Sequence, residues 1–463
     1  MAEKVKIMLL HPAGNYLGPE KEKKAAVIPL GIAYLAAILR ENDFEVRILD
    51  VLIEGYDEEK IVRGDQIRYG LSPEAIAREI SDYSPGIVGV TCPQATKHHE
   101  AHEIFAIAKS LDPAILTVMG GAHASSLPEF NLRDDALDLV MIGEAEMSFL
   151  EVVRTFNDGE RDFSGVDGLA YKKHGRVFIN PKTKFVDNLD SLPWPAYDLL
   201  KLERYYNIGV SAGFDNQLPY VIMITSRGCP NVCPYCPVGI TFGRRLYRTR
   251  SVENVIGEIS LLVNSYGIKE IQFEDSNMTK DRKRMMHLCD ELIRNKFDMI
   301  WAMPHGTEVA TLDDELLEKM RSAGCYALSL AVESGNQDYL KDIRKTVNLD
   351  KVQEVIKKSR ALGYKVKCYF MIGNQGETRS DIMHTVEYAK GLDLDSICMF
   401  IATPLPGTEY YDYARERKLL PDNIDLSNLR YAKGCISTEE FDPDMLEKLR
   451  RDTWLDITRR RNK

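Results

Sequence analysis

The sequence has no apolar run approaching the ~20 residues that a membrane-crossing helix needs. Residues 1–10 lead straight into a strand-like segment, without a secretory h-region. Both absences predict a cytoplasmic protein with no membrane span. Positive charge is not in excess: 60 Lys and Arg against 70 Asp and Glu give a formal net charge of −10. Nucleic acid is therefore not expected as the main partner. The basic end of the chain (Arg450, Arg451, Arg459, Arg460, Arg461, Lys463) reads as a solvated final helix. A disulfide framework is also missing. Of nine cysteines, six (Cys92, Cys289, Cys325, Cys368, Cys398, Cys435) are scattered, as suits free thiols in a reducing compartment. No low-complexity segment interrupts the chain.

What is present is alternation. A length of 463 residues leaves room for roughly two to four domains. Apolar strand-like runs at 4–10, 44–50, 86–91, 114–119 and 137–142 alternate with helix-like stretches such as 29–41 and 101–110. That pattern predicts an α/β domain over 1–150, an open parallel sheet covered by helices. Ligands of such sheets sit beyond the carboxyl ends of the strands. There this chain carries Thr91 to Gln94, the run GGAHA (120–124) and GEAE (143–146). Residues 151–215 read as a connector, with an extended LPWPAY piece and a hairpin-like KHGR at 173–176.

Alternation restarts at 216. Strands are predicted at 220–225, 270–274, 299–302, 327–332, 365–371 and 396–401, with helices between them. Six βα units over 216–406 imply a partial (β/α)6 barrel, whose chemistry belongs at the strand carboxyl ends. Residues 407–463 read as a helical C-terminal extension that caps that face.

Cys229, Cys233 and Cys236 follow the first of these strands in the run CPNVCPYC. Three thiolates so closely spaced can wrap a compact metal centre. Structural zinc wants four ligands, and residues 237–265 supply neither His nor Cys. An electron-transfer cluster also normally takes four cysteines. The count favours a 4Fe–4S cluster with one iron open to a small chelating molecule, with zinc as the alternative.

The Cys-x3-Cys-x2-Cys spacing, with aromatic Tyr235 before the last cysteine, resembles the radical S-adenosylmethionine (SAM) superfamily. The resemblance implies that the open iron binds SAM, which an electron from the cluster cleaves to methionine and a 5′-deoxyadenosyl radical. It also implies SAM-binding positions. Glu274 and Asp275 stand where the family holds the amino group, and Glu333 and Ser334 where it contacts the ribose. Met371, with the segments 371–378 and 404–408, flanks the adenosine pocket.

The N-terminal half lacks the G-x-G-x-x-G of dinucleotide folds; its first turn, HPAGNYLGPE, has only Gly14 and Gly18. Instead Leu30 within PLG, Thr91 and Gln94, Gly120, Gly121 and His123, and Gly143 with Glu144 resemble the Rossmann-like cobalamin-binding domains fused to radical SAM barrels. Glycines at strand ends let a large flat ligand approach the backbone. Many cobalamin domains ligate cobalt through the His of Asp-x-His-x-x-Gly. Here His11 and Gly14 match, but Leu9 cannot orient an imidazole as Asp would, so His11 is not expected on cobalt. His123 is expected to line the pocket by hydrogen bonding. His98, His99 and His102 read as a solvated helix start. The whole resemblance, over about 4–410, implies a cobalamin-dependent radical SAM methyltransferase that methylates an unactivated carbon through the deoxyadenosyl radical and methylcobalamin. The rivals are a non-methylating oxidase or cyclase with the same cofactors, and a cluster- or corrinoid-bearing sensor or carrier without turnover. An electron donor such as a flavodoxin or ferredoxin is implied. The substrate is open between small metabolites, lipids, tetrapyrroles and peptide side chains.

Overall fold

The structure is a computed structural model that describes residues 4–18, 24–206, 208, 218–421 and 423–461. Lys463, the side chains of Arg460 and Arg461, and the end of the expected connector lie outside the described residues. The chain forms two compact units, 1–211 with 240–243, and 212–239 with 244–463.

The first unit is built on a seven-stranded sheet. Its strands run in the order Arg176–Asn180, Leu169–Lys173, Leu139–Met141, Leu116–Gly120, Ile87–Thr91, Ile7–His11, Val46–Asp50. The last five in this order pair in parallel. Met8, Leu10, Val88, Val90, Met119 and Val140 are buried with Ile104 and Phe105 of the helix His98–Leu111. Burial on both faces explains why these strands read as continuous apolar runs rather than alternating ones. The chain-order pattern places the first strand between the second and third parallel strands, so a topological switch point lies between Ile7–His11 and Ile87–Thr91.

Two features depart from expectation. Residues 169–180 are not connector: Leu169–Lys173 and Arg176–Asn180 form a hairpin that extends the sheet antiparallel beside Leu139–Met141. The apolar side chains of Leu169, Ala170 and Tyr171 are buried there, which draws the hairpin onto the sheet. A second, three-stranded antiparallel sheet joins Gly14–Leu17, Gln66–Tyr69 and Glu59–Arg63, where the sequence looked irregular.

The second unit carries six parallel strands in strict chain order: Tyr220–Met223, Glu270–Phe273, Ile300–Thr307, Cys325–Glu333, Lys365–Ile372 and Ser396–Ile401. This is the partial barrel. Its helices start where the sequence supplies acceptors for their free N–H groups. Ser251, Asp281, Asp313 and Asn348 each cap a helix, and Thr378 with Asp381 makes a reciprocal capping box.

The C-terminal segment is only partly helical, with helices at Glu409–Glu416 and Pro443–Arg461. It covers the free edge of the last strand. Ile401 donates its N–H to the Tyr431 carbonyl at 2.8 Å, and Arg450 Nε donates to the Met399 carbonyl at 3.1 Å. An open sheet edge needs such a cover; the same segment also reaches the strand carboxyl ends, where Tyr410 Oη donates to the Gly373 carbonyl at 2.6 Å. Arg450 is half-buried rather than fully solvated. Among the described residues no helix is long and apolar enough to cross a membrane.

Candidate active site

The cysteine loop leaves the barrel between two short strands, Ser226–Gly228 and Tyr247–Thr249, which pair antiparallel. This ribbon closes residues 229–246 into a loop with fixed ends. Within it Cys236 N–H bonds the Cys233 carbonyl at 3.2 Å, and the Pro234 carbonyl accepts from Tyr410 N at 3.0 Å. Cys236 is exposed and Cys229 and Cys233 are half-buried, whereas Cys92, Cys289, Cys325 and Cys368 are buried. Burial raises the Cys233 thiol, and protein atoms crowded round the loop, though they leave Cys236 open to solvent on one side, push it up to about 11, with smaller contributions from neighbouring thiols. Both therefore hold their protons until a metal displaces them.

The loop is anchored by a carboxylate that its sequence neighbourhood does not contain. Glu308 accepts from Asn277 Nδ2 at 2.7 Å, Asn231 Nδ2 at 3.3 Å, Lys280 Nζ at 3.5 Å and Thr346 Oγ1 at 3.1 Å. Burial opposes its charge, but these donors win and its pKa is lowered. Asn277 in turn reaches Cys229 Sγ at 3.8 Å. Its Oδ1 is buried with no partner among the described residues. An orphaned buried acceptor beside a cluster cysteine suits a ligand's ammonium group.

The predicted SAM residues divide into two sets. Glu274 follows its strand and meets the ring of His305. Burial would lower the His305 pKa, but the Glu274 hydrogen bond and charge raise it. Glu333 ends its strand at a register shift with φ of 73°, a left-handed conformation that a non-glycine residue rarely adopts. Its carboxylate meets Lys345 Nζ at 3.1 Å. Burial works against the Lys345 ammonium, yet Glu333 and the Cys233 thiol outweigh it and the pKa rises. Tyr235 has its hydroxyl buried beside the Cys233 thiol, and Met371 is 9% exposed.

Asp275 and Ser334 face the other way. Asp275 is buried and accepts from Thr225 N at 3.0 Å, Thr225 Oγ1 at 2.8 Å and Ser226 Oγ. Its lone pairs clamp the start of the cysteine loop, so its expected contact to SAM is replaced by a structural one. Ser334 is likewise committed, with Thr385 Oγ1 at 3.0 Å and the Asn336 N–H at 3.1 Å.

In the first unit, Thr91 and Gly120 are half-buried and Gln94 is exposed at the strand ends, while Leu30 is buried at the start of its helix. A Cβ on Gly120 would make ordinary contact with Met141 Cβ at 3.9 Å, so packing alone does not demand glycine there. Gly121 differs from expectation. Its φ is 103°, and a Cβ there would stand 2.7 Å from the Cys92 carbonyl oxygen; backbone packing, not ligand approach, demands glycine. Gly143, with φ of 72°, donates to Ser125 Oγ at 2.9 Å. Glu144 is buried and accepts from Val186 N at 3.2 Å.

His123 is buried, and its Nε2 has no described partner. Burial chiefly, then the charges of His98 and His102, pull its pKa down to about 3. It is thus a neutral imidazole at a strand end, with one nitrogen free to bond a ligand. His98 and His102 are not solvated. His98 Nδ1 contacts the Ala95 carbonyl at 2.7 Å, and His102 bridges Asp134 at 2.6 Å and Asn131 at 3.2 Å. The segment 122–134 folds over that helix face, a tertiary cover with no signal in local composition.

His11 also departs from expectation. Leu9 does not orient it, but its Nδ1 lies 3.0 Å from Asp50 Oδ1 on the adjacent strand.

Sequence reasoning missed Asn277, Lys345, His305, Glu308 and Asp50. Each becomes visible only when different strand ends are brought together. The run PHGTE at 304–308, polar residues ending a strand, was the one available signal.

Two family profiles match the chain: the B12 binding domain over residues 23–153 and the radical SAM superfamily over 223–389. An uncharacterized methyltransferase of Pyrococcus horikoshii is 32% identical, over 92% of this chain and 87% of that protein. The cytidylyl-2-hydroxyethylphosphonate methyltransferase of Streptomyces wedmorensis is also 32% identical, over 93% of this chain and 86% of its own. In fold the chain resembles the radical SAM methyltransferase TsrM of Kitasatospora setae, solved with cobalamin and a [4Fe-4S] cluster. The TM-score is 0.71 at 17% identity, over 90% of this chain and 75% of that one. With both profiles in this order and both relatives aligned nearly end to end, the chain belongs to the cobalamin-dependent radical SAM enzymes.

Proposed function

We propose that this protein moves a methyl group from SAM to an unactivated carbon of its substrate. The observation that carries the reading is the three-thiol loop at the barrel mouth, anchored through Glu308 and Asn277, in a chain that also bears a B12-binding domain. When bound, the cluster and SAM supply a 5′-deoxyadenosyl radical, and the corrinoid supplies a transferable methyl group.

The chain's own residues have definable tasks. Cys229, Cys233 and Cys236 hold the cluster and leave one iron for SAM. Glu274 and the orphaned Oδ1 of Asn277 accept from the SAM ammonium. Lys345, held by Glu333, offers a cation to the SAM carboxylate, and Glu333 offers an acceptor to the ribose. Tyr235 and Met371 line the pocket. In the first unit Gly120, the Nε2 of His123, and the strand ends at Thr91 and Gln94 receive the corrinoid; Leu30, Gly121, Gly143 and Glu144 shape the backbone around it. A one-electron donor such as a flavodoxin or ferredoxin reduces the cluster.

The test needs no known substrate at first. The reconstituted, cobalamin-loaded protein is incubated with reductant and methyl-labelled SAM. S-adenosylhomocysteine should form, with label retained on the protein-bound corrinoid. Deoxyadenosine alone, with cobalamin demonstrably bound and reduced, would overturn methyl transfer in favour of an oxidative reaction.

A further inference from the structure

His11 ends its strand, and Lys97 ends the short 3-10 turn Ala95–Lys97 that follows Ile87–Thr91. The two thus stand on either side of the switch point, the crevice where such sheets take their ligands. Around His11 the described polar groups are fully arranged. Asp50 Oδ1 lies 3.0 Å from Nδ1. Asp50 is itself held by the Ile53 N–H at 3.2 Å and by the Tyr205 hydroxyl. Lys97 Nζ lies 3.0 Å from Nε2.

The carboxylate on Nδ1 assigns the ring proton to that nitrogen and leaves the lone pair on Nε2. A carboxylate on one nitrogen and a lone pair on the other is how metal-ligating histidines are prepared. Asp50 therefore supplies, from the neighbouring strand, the orienting acid that Leu9 does not. The lone pair is nevertheless taken, because the Lys97 Nζ–H donates into it at 3.0 Å. Burial, followed by the Lys97 charge, lowers the His11 pKa, so the ring stays neutral between these partners.

We propose that Lys97 is a latch that keeps His11 off cobalt, and that removing its amine releases an imidazole already oriented by Asp50 to become the lower axial ligand. The inference rests on the cobalamin reading of the first unit. Lys97 is a positioning residue here: it acts on the corrinoid only through His11.

The experiment uses full-length protein loaded with cobalamin and reduced to the cobalt(II) state. Electron paramagnetic resonance of the wild type should show no histidine nitrogen coupling. In Lys97→Met each high-field cobalt line should split into a triplet. Heavy-nitrogen labelling of histidine should convert it to a doublet, which separates it from the cofactor's own benzimidazole. The splitting should vanish in the double variant His11→Ala, Lys97→Met. Cobalamin bound by Lys97→Met at wild-type stoichiometry without that splitting would overturn the latch. So would a histidine splitting already present in the wild type. Lys97→Ala serves the same purpose if the methionine variant fails to fold. Failure of the wild type to bind any cobalamin would instead sink the cobalamin reading, a different outcome from either.

Discussion

Asp275 and Glu274 are adjacent, yet their side chains serve different ends. Asp275 is fully committed to Thr225 and Ser226, so Asp275→Ala should act on the fold. Leaving those buried donors unsatisfied costs about 3 kcal/mol, visible as a lower Tm, with little separate change in the KM for SAM among molecules still folded. Glu308 should behave in the opposite way. It holds Asn277 and Asn231 by charge-assisted bonds, and losing one such bond is worth about 1.5–3 kcal/mol. Glu308→Ala should therefore raise the KM for SAM roughly tenfold or more, with iron retained and partial rescue in Glu308→Gln. Loss of iron with an unchanged KM would assign Glu308 to cluster retention instead. The difference between Asp275 and Glu308 was not legible in the sequence. The motif around Phe273 named the right segment, but which carboxylate turns inward depends on where Thr225 comes to lie. Asp50 teaches the same lesson: it stands opposite His11 because of strand register, which no spacing along the chain encodes.

At the scale of elements, strands and capped helices were legible because each carries its own signal, apolar runs for buried strands and Ser, Asp, Asn or Thr at helix starts. The edge devices were not. A hairpin at one sheet margin and a strap over the last barrel strand answer a need of the sheet, and their own residues look like loop. The turn after Lys365–Ile372 illustrates the coupling. Gly373 has φ of 80°, and a Cβ there would stand 2.5 Å from Leu446 Cδ1. Glu377 Oε2 accepts from Gly373 N at 2.6 Å and Asn374 N at 2.9 Å. Burial pushes its carboxyl up to about 8 despite those two donors. An acid whose folded pKa is raised stabilises the fold while protonated. That contribution is whole below its unfolded pKa near 4.5 and is lost as pH rises through about 8. Glu377→Gln keeps the acceptor and cannot ionise. Its Tm should exceed the wild-type value by a margin that widens from pH 5 to about pH 9; a margin that narrows on the alkaline side would refute this.

At the scale of the whole molecule, the order of the two units and the class of each were legible because βα alternation stops and restarts around a distinct connector. What the sequence placed too early was the end of the first sheet, since its hairpin extends to Asn180. The division also separates the chemistry. Cys229, Cys233, Cys236, Asn277, Glu308, Glu333 and Lys345 belong to the second unit, whereas His11, Asp50, Lys97, Gly120 and His123 belong to the first. Each set rests on its own sheet and its own buried side chains. Replacing Cys229, Cys233 and Cys236 together with Ala exchanges three side chains of one loop, none of which lies in the core of the first unit. After anaerobic reconstitution the wild type should carry about four irons and four sulfides, and the triple variant essentially none. The same variant should still bind equimolar cobalamin with an unchanged visible spectrum, because all three substitutions belong to the second unit. Iron retained in the triple variant would move the cluster to the scattered cysteines. Cobalamin lost together with the iron would mean that the first unit does not hold the corrinoid on its own residues.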